Sequence, residues 1–157
     1  MLKAFSLEGK VAIVTGGAQG LGESMAICLA QSGADVVIAD LNEEKGRDVA
    51  AQIRALGRQS TSFCLDVSDR DTVNNMVSQV KSDFGKIDVL VNSAGLNRRY
   101  WMKDMTSEDY DLIMNVNLKG TFNTCQEVGR IMIEQGHGGS IINISSMSSL
   151  IVNRRRA

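Results

Sequence analysis

Proline is absent from the 157 residues, so no turn, kink or helix stop here rests on a locked pyrrolidine ring. Histidine occurs once, as His137 in the run Gly136-His137-Gly138-Gly139, with no carboxylate or cysteine at ligand spacing. The three cysteines, Cys28, Cys64 and Cys125, lie far apart and form no Cys-x-x-Cys pair. A metal site is therefore not expected, and each cysteine, set in an apolar segment, reads as a small core residue. No apolar stretch approaches membrane-spanning length, and the start Met1-Leu2-Lys3-Ala4-Phe5 carries no signal-peptide core, which predicts a soluble, cytoplasmic protein without a membrane partner. An excess of one charge is also lacking. The net charge is −1 and the basic residues are scattered, Arg154-Arg155-Arg156 being the one run, so a nucleic-acid partner is not expected. Internal repeats and low-complexity segments are missing as well.

What is present suffices for one domain over 1–157. At 43% apolar and 22% charged, such a chain buries a sizeable core. Its most informative segment is the glycine-rich turn Thr15-Gly16-Gly17-Ala18-Gln19-Gly20-Leu21-Gly22, between the apolar run Val11-Ala12-Ile13-Val14 and a stretch with Leu21, Met25, Cys28 and Leu29 at helical spacing. A strand, a turn and a helix start in that order present unpaired backbone N–H groups and a positive dipole end, and glycine lets a pyrophosphate approach them. A second apolar run, Val36-Val37-Ile38-Ala39, ends in Asp40, where a dinucleotide-binding βαβ unit keeps the acid that binds the adenosine ribose. A 2′-phosphate would be repelled there, and the next residue, Leu41, brings no positive charge, so NAD is expected rather than NADP. Asp40 also reads as the N-cap of the following helix, a role compatible with the first.

The remaining elements alternate. A helix from the cap Asn42, burying Val49, Ile53 and Leu56, stops at Gly57. The strand Thr61 to Leu65 ends in Asp66, and Ser68 with Asp71 resembles a capping box before the stripe Val73, Val77, Val80 and Phe84. The strand Ile87 to Val91 comes next. A long helix then runs from Thr106 to about Gln135, broken in period near Leu118-Lys119-Gly120, with Gly120 and Gly129 as candidate close-packing points. Ser140 to Ile144 gives a fifth strand, apolar enough to need cover on both faces. Right-handed crossovers turn this alternation into an α/β fold, a Rossmann-type doubly wound parallel sheet of order 3-2-1-4-5, with ligands at the carboxyl ends of its strands.

Together these residues resemble the short-chain dehydrogenase/reductase family, whose nucleotide turn is Thr-Gly-x-x-x-Gly-x-Gly. Asp66-Val67 is similar to the pair that the family sets against adenine, and Asn92-Ser93-Ala94-Gly95 to its Asn-Asn-Ala-Gly signature, with Ser93 in place of an asparagine. The resemblance implies that Thr15, Gly16, Gln19, Gly20, Leu21, Gly22, Asp40, Leu41, Asp66, Val67, Asn92, Ala94 and Gly95 serve the cofactor. It further implies that Asn117, in Met114-Asn115-Val116-Asn117, and Ser146, in Asn143-Ile144-Ser145-Ser146, belong to the catalytic tetrad. Their roles would be positioning a water in the proton relay and holding the substrate oxygen.

The family's Tyr-x-x-x-Lys does not occur: Tyr100 and Tyr110 precede the serine and lack a lysine four residues on. The chain is therefore expected to be a C-terminally truncated or frame-shifted form, inactive alone, with strand five left as an exposed edge open to pairing or aggregation. The expected function is that of an NAD-dependent oxidoreductase acting on a secondary alcohol or ketone of small-molecule size, a sugar, polyol or sugar acid before a 3-oxoacyl group. A catalytically dead nucleotide-binding or interaction fragment is the alternative. The segment Leu96 to Lys103, with Arg98, Arg99 and Trp101, reads as a pocket wall able to meet a carboxylate, phosphate or sugar face, or as a solvated loop. By resemblance the parent enzyme is a homo-oligomer joined through the Asn117 helix.

Overall fold

The computed structural model describes residues 5–98 and 101–146. Five parallel strands form one sheet: β1 Val11–Thr15, β2 Asp35–Asp40, β3 Ser60–Cys64, β4 Val89–Asn92 and β5 Ser140–Asn143, in the order β3-β2-β1-β4-β5. This is the expected order. The register sets Thr15 beside Ala39 and Asn92, Asp40 beside Cys64, and Asn92 beside Asn143, so the chemically expressive residues line one end of the sheet.

Helices α1 Gly20–Gln31 and α2 Glu43–Ala55 cover one face, and α3 Arg70–Phe84 and α5 Thr121–Glu134 the other. Between α4 Ser107–Met114 and α5, residues Asn115–Gly120 form a π-helical segment, so the helix predicted from Thr106 onward is continuous in path but changes winding where its period breaks. Thr106 caps α4 by accepting from Asp109 N. The core falls into two clusters, one on each face. Ile13, Val37, Val77 and Leu90 belong to the first and Val14, Val36, Ile38 and Ile53 to the second. Each such side chain contributes about 1.5–3 kcal/mol by leaving water.

Several local expectations are corrected. The buried face of α1 is Gly22, Ala26 and Ala30, while Leu21 and Cys28 are exposed and Met25 and Leu29 are only partly buried. Small side chains bring α1 close to the sheet, which moves its inner stripe one residue along from the large apolar ones. Cys64 is also exposed and Cys125 half-buried, so the cysteines are not core residues; Cys64 ends β3 and donates to the Leu41 carbonyl at 3.6 Å. The N-cap of α3 is Asp69, accepting from Asp71 N and Thr72 N, rather than Ser68, whose hydroxyl turns back to Asp66. Leu56 lies beyond the last turn of α2 and is exposed, with Gly57 in the left-handed conformation at φ +81. A Cβ on Gly120 would meet Val67 Cγ2 at 2.5 Å, as a packing point requires, whereas nothing lies within 4 Å of one on Gly129.

No helix among the described residues is long and apolar enough to cross a membrane.

Candidate functional site

At the carboxyl ends of the strands a cleft of about 560 Å³ is lined by Gly16, Gln19, Gly20, Leu21, Gly22, Asp40, Leu41, Asp66, Val67, Ala94 and Gly95, all singled out in the sequence. Its floor is the turn from β1 into α1. Gly16 has φ +64, and a Cβ there would sit 2.7 Å from the backbone of Ala94; one on Gly22 would sit 2.0 Å from the Gly16 carbonyl oxygen. Both glycines are therefore demanded by backbone contact. Gly20 also has a positive φ, +59, but the space beside it is open. The N-cap residue Gln19 makes no side-chain cap, which leaves the first amides of α1 facing the cleft without a side-chain acceptor. An open glycine against free helix-start amides fits a diphosphate.

Thr15 does not line the cleft. Its buried hydroxyl oxygen accepts from Ser93 N and Ala94 N, each at 3.2 Å, and so ties the turn to the end of β4. Asn92, likewise buried, donates from Nδ2 to Asn143 Oδ1 at 2.9 Å, and its Oδ1 accepts from Thr124 Oγ1 at 2.7 Å. Asn92 thus holds β5 and α5 to β4 and stands behind the cleft wall.

The Asp40 carboxylate accepts from Ala18 N at 3.1 Å through one oxygen and from Asn42 N at 2.9 Å through the other. The N-cap of α2 is Asn42, which accepts from Lys45 N, so Asp40 instead joins the glycine turn to the chain entering α2. Asp66 accepts from Ser68 N and Oγ through a single oxygen, at 2.8 and 2.7 Å. Among the described residues the lining carries these two carboxylates and no lysine or arginine.

The lining also includes Leu96, Val116 and Ile144. The Asn117 side chain accepts from Leu96 N and donates to Leu96 O, both at 2.9 Å, clamping the loop after β4 from the π-helical segment. Thr121 Oγ1 donates to the Asn117 carbonyl at 2.9 Å. Ser146 is exposed. Of the two expected tetrad members, Asn117 follows the lining Val116 and bonds to the lining Leu96, and Ser146 lies two residues after the lining Ile144; neither lines the cleft itself. Arg98 pairs with Asp109 at 2.8 Å and Trp101 is exposed; Arg99, Tyr100 and the Arg154 to Arg156 run lie outside the described residues. Among the described residues no three His, Cys, Asp or Glu side chains gather as metal ligands.

Sequence reasoning missed Thr124, whose bond to Asn92 had no linear signal. It also missed Lys45, whose ammonium donates to Gln19 Oε1 at 3.1 Å across the cleft rim; its place at the third position of α2 could have flagged it.

The fold defines a protein of the doubly wound α/β class with a cleft at the carboxyl ends of its strands. Residues 10–156 match the short chain dehydrogenase family model, and the chain belongs to that family, whose cofactors are NAD(P) nucleotides. It is 44% identical over 149 residues to the 2-dehydro-3-deoxy-D-gluconate 5-dehydrogenase of Escherichia coli (strain K12), covering 95% of this chain and 58% of that protein. It is 40% identical over 147 residues to the 3-oxoacyl-(acyl-carrier-protein) reductase of Thermotoga maritima, covering 94% and 59%. The crystal structure of a short-chain type dehydrogenase/reductase from Mycobacterium marinum superposes with a TM-score of 0.94 at 36% identity, over 98% of this chain and 62% of that one. The chain thus spans about three-fifths of the length of these relatives.

Proposed function

We propose that this chain binds NAD in the cleft and serves hydride transfer between that dinucleotide and a secondary alcohol or ketone. One observation carries the reading: the glycine floor, closed by backbone contact at Gly16 and Gly22 but open at Gly20, lies beside the Asp40 carboxylate on a single cleft. In this reading Gly20, Leu21 and Gly22 offer amides to the diphosphate and Asp40 accepts from the ribose hydroxyls, each of its oxygens having a lone pair left after Ala18 and Asn42. Asp66 and Val67 flank the adenine. Thr15, Asn92, Ala94 and Gly95 fix the wall.

Bound nicotinamide supplies the hydride acceptor or donor. The residues present act on the substrate oxygen: Ser146 holds it by a hydrogen bond, and Asn117 fixes the loop at the lining residue Leu96. Oxidation also requires a base for the hydroxyl proton, and within these 157 residues no tyrosine with a lysine four positions on is available. Turnover by these residues alone is therefore expected to be lower by about 10²- to 10⁴-fold, the usual contribution of a positioned acid or base.

For the substrate we take a sugar acid or polyol, on the likeness to the gluconate-derivative dehydrogenase, ahead of a 3-oxoacyl group, on the likeness to the reductase. Exposed Trp101 suits a sugar face. The Arg98 charge is already shared with Asp109 and counts less toward a substrate carboxylate.

Titration with NADH, followed by nicotinamide fluorescence, tests the cofactor reading. Asp40→Ala should weaken NADH binding about ten-fold, the equivalent of one or two charge-assisted hydrogen bonds, and reduce the preference over NADPH. Folded wild-type protein without affinity for NADH would end the proposal.

A further inference from the structure

At the amino ends of β1, β4 and β5, the opposite end of the sheet from the cleft, lies a second hollow of about 350 Å³ whose lining includes Lys10, Asp88, His137, Gly138 and Gly139. Hydride transfer makes no use of it. The buried Asp88 carboxylate meets two ammonium groups, Lys10 at 3.1 Å and Lys86 at 3.4 Å, and neither lysine has another acidic partner among the described residues. One unit of positive charge is left over. Asp88 is engaged within the fold, one oxygen with Lys10 and the other with Val11 N and Lys86, whereas the half-exposed Lys10 ammonium retains two N–H donors.

The turn from α5 into β5 supplies the other side of the hollow. Gly136 and Gly138 have φ +75 and +73 while His137 and Gly139 do not lie at positive φ, so the sign alternates over four residues. Alternation of this kind turns successive N–H groups toward one side and forms a concave seat for an anion. The N–H groups of His137, Gly138 and Gly139 meet no acceptor among the described residues, and nothing lies within 4 Å of a Cβ placed on Gly138. Three amides and two ammonium N–H groups exceed one donor for each oxygen of a carboxylate and suit the oxygens of a phosphate. We propose that this hollow is a second binding site, for a phosphate group, in which Lys10 supplies the charge and the amides of residues 137–139 the geometry. A phosphate bound there ties the wholly buried β1 to the turn that leads into the exposed β5.

Backbone amide NMR of the whole chain, titrated with inorganic phosphate at constant ionic strength, tests this residue by residue. The amides of His137, Gly138 and Gly139 should shift and saturate with a dissociation constant of about 1–10 mM, and acetate should bind more weakly. Lys10→Gln, which keeps an N–H donor for Asp88 but no charge, should weaken phosphate about five-fold, and Lys10→Arg should stay within about two-fold. Gly138→Ala leaves Lys10 in place and strains the turn at φ +73, so it should weaken phosphate as well and decides the matter if Lys10→Gln does not fold. Shifts confined to Gly20, Leu21 and Gly22 would put phosphate in the cleft and overturn the proposal. Shifts that sodium chloride reproduces at matched ionic strength, or an unchanged phosphate affinity in folded Lys10→Gln or Gly138→Ala, overturn it too. None of these results bears on NADH binding, which concerns the other end of the strands.

Discussion

Around β1 and α1 the backbone itself does the packing, with a Cβ on Gly22 falling 2.0 Å from the Gly16 oxygen, whereas the four residues of β5 are exposed and hang on their ladder to β4 and the Asn92 amide. The first region has no room for one carbon atom; the second has room for whole side chains. Tolerance to substitution should therefore differ sharply across one sheet, and the glycine turn should be its least forgiving part. Gly22→Ala sets the largest expected effect. The added methyl must displace backbone, at a cost above about 3 kcal/mol in urea unfolding and with loss of NADH binding. Gly129→Ala is the matched control: nothing lies within 4 Å, the residue is inside α5, and stability should rise by about 0.5–1 kcal/mol. Equal outcomes for the two alanines would erase the distinction.

The same contrast holds for side chains. Ile38 in β2 is wholly buried, while Ile142 in β5 is 46% exposed. Replacing each by threonine adds the same hydroxyl and removes the same carbon atoms. Ile38→Thr should cost about 2–4 kcal/mol, since the hydroxyl enters an apolar cluster with no partner, and Ile142→Thr under about 1 kcal/mol. Thermal midpoints of the two variants measure the difference directly. A loss at Ile142 as large as at Ile38 would mean that β5 is covered in solution, and a rise in apparent mass with protein concentration would identify another copy as the cover.

The legibility of these two regions in the sequence differs for a physical reason. Thr15 to Gly22, Asp40 and the strand order could be read because each depends on local chain geometry: a glycine at a positive φ, an acid at a strand end, an apolar run between helices. The inner stripe of α1 was misplaced because the close approach is made by Gly22, Ala26 and Ala30, which hydrophobic periodicity weighs less than Leu21 and Cys28. The cysteines were misplaced for a similar reason. An apolar neighbourhood in sequence does not fix which side of a helix or which end of a strand a residue occupies, and Cys28 and Cys64 fall outward. Contacts distant in sequence were invisible. Thr124 to Asn92, Asn117 to Leu96 and Lys45 to Gln19 join residues 21 to 32 positions apart, and no linear pattern announces them.

The joint between the two regions lies at the opposite end of the strands, where Asp88 precedes β4. Its buried carboxylate accepts from Val11 N at 3.0 Å, at the start of β1, and from Lys10 Nζ at 3.1 Å, with Lys86 Nζ at 3.4 Å. Burial is the largest single influence and opposes ionisation. The Val11 amide, the Lys10 hydrogen bond and the charges of Lys10 and Lys86 together outweigh it, holding the carboxyl below the ordinary aspartate range. A carboxyl whose folded-state value is depressed binds fewer protons folded than unfolded, so its stabilisation is complete above the ordinary aspartate range. It is lost as pH falls through that range toward the folded value. Urea midpoints taken from neutral to acid pH should show this loss in wild-type protein. Asp88→Asn keeps an acceptor for Val11 N but has no titrating carboxyl at the joint, so its acid-side slope should be shallower and its deficit greatest near neutrality, an effect smaller than either contrast above. Parallel curves for the two proteins would show that Asp88 does not couple the halves through its charge, leaving the ladder between β1 and β4 as the joint.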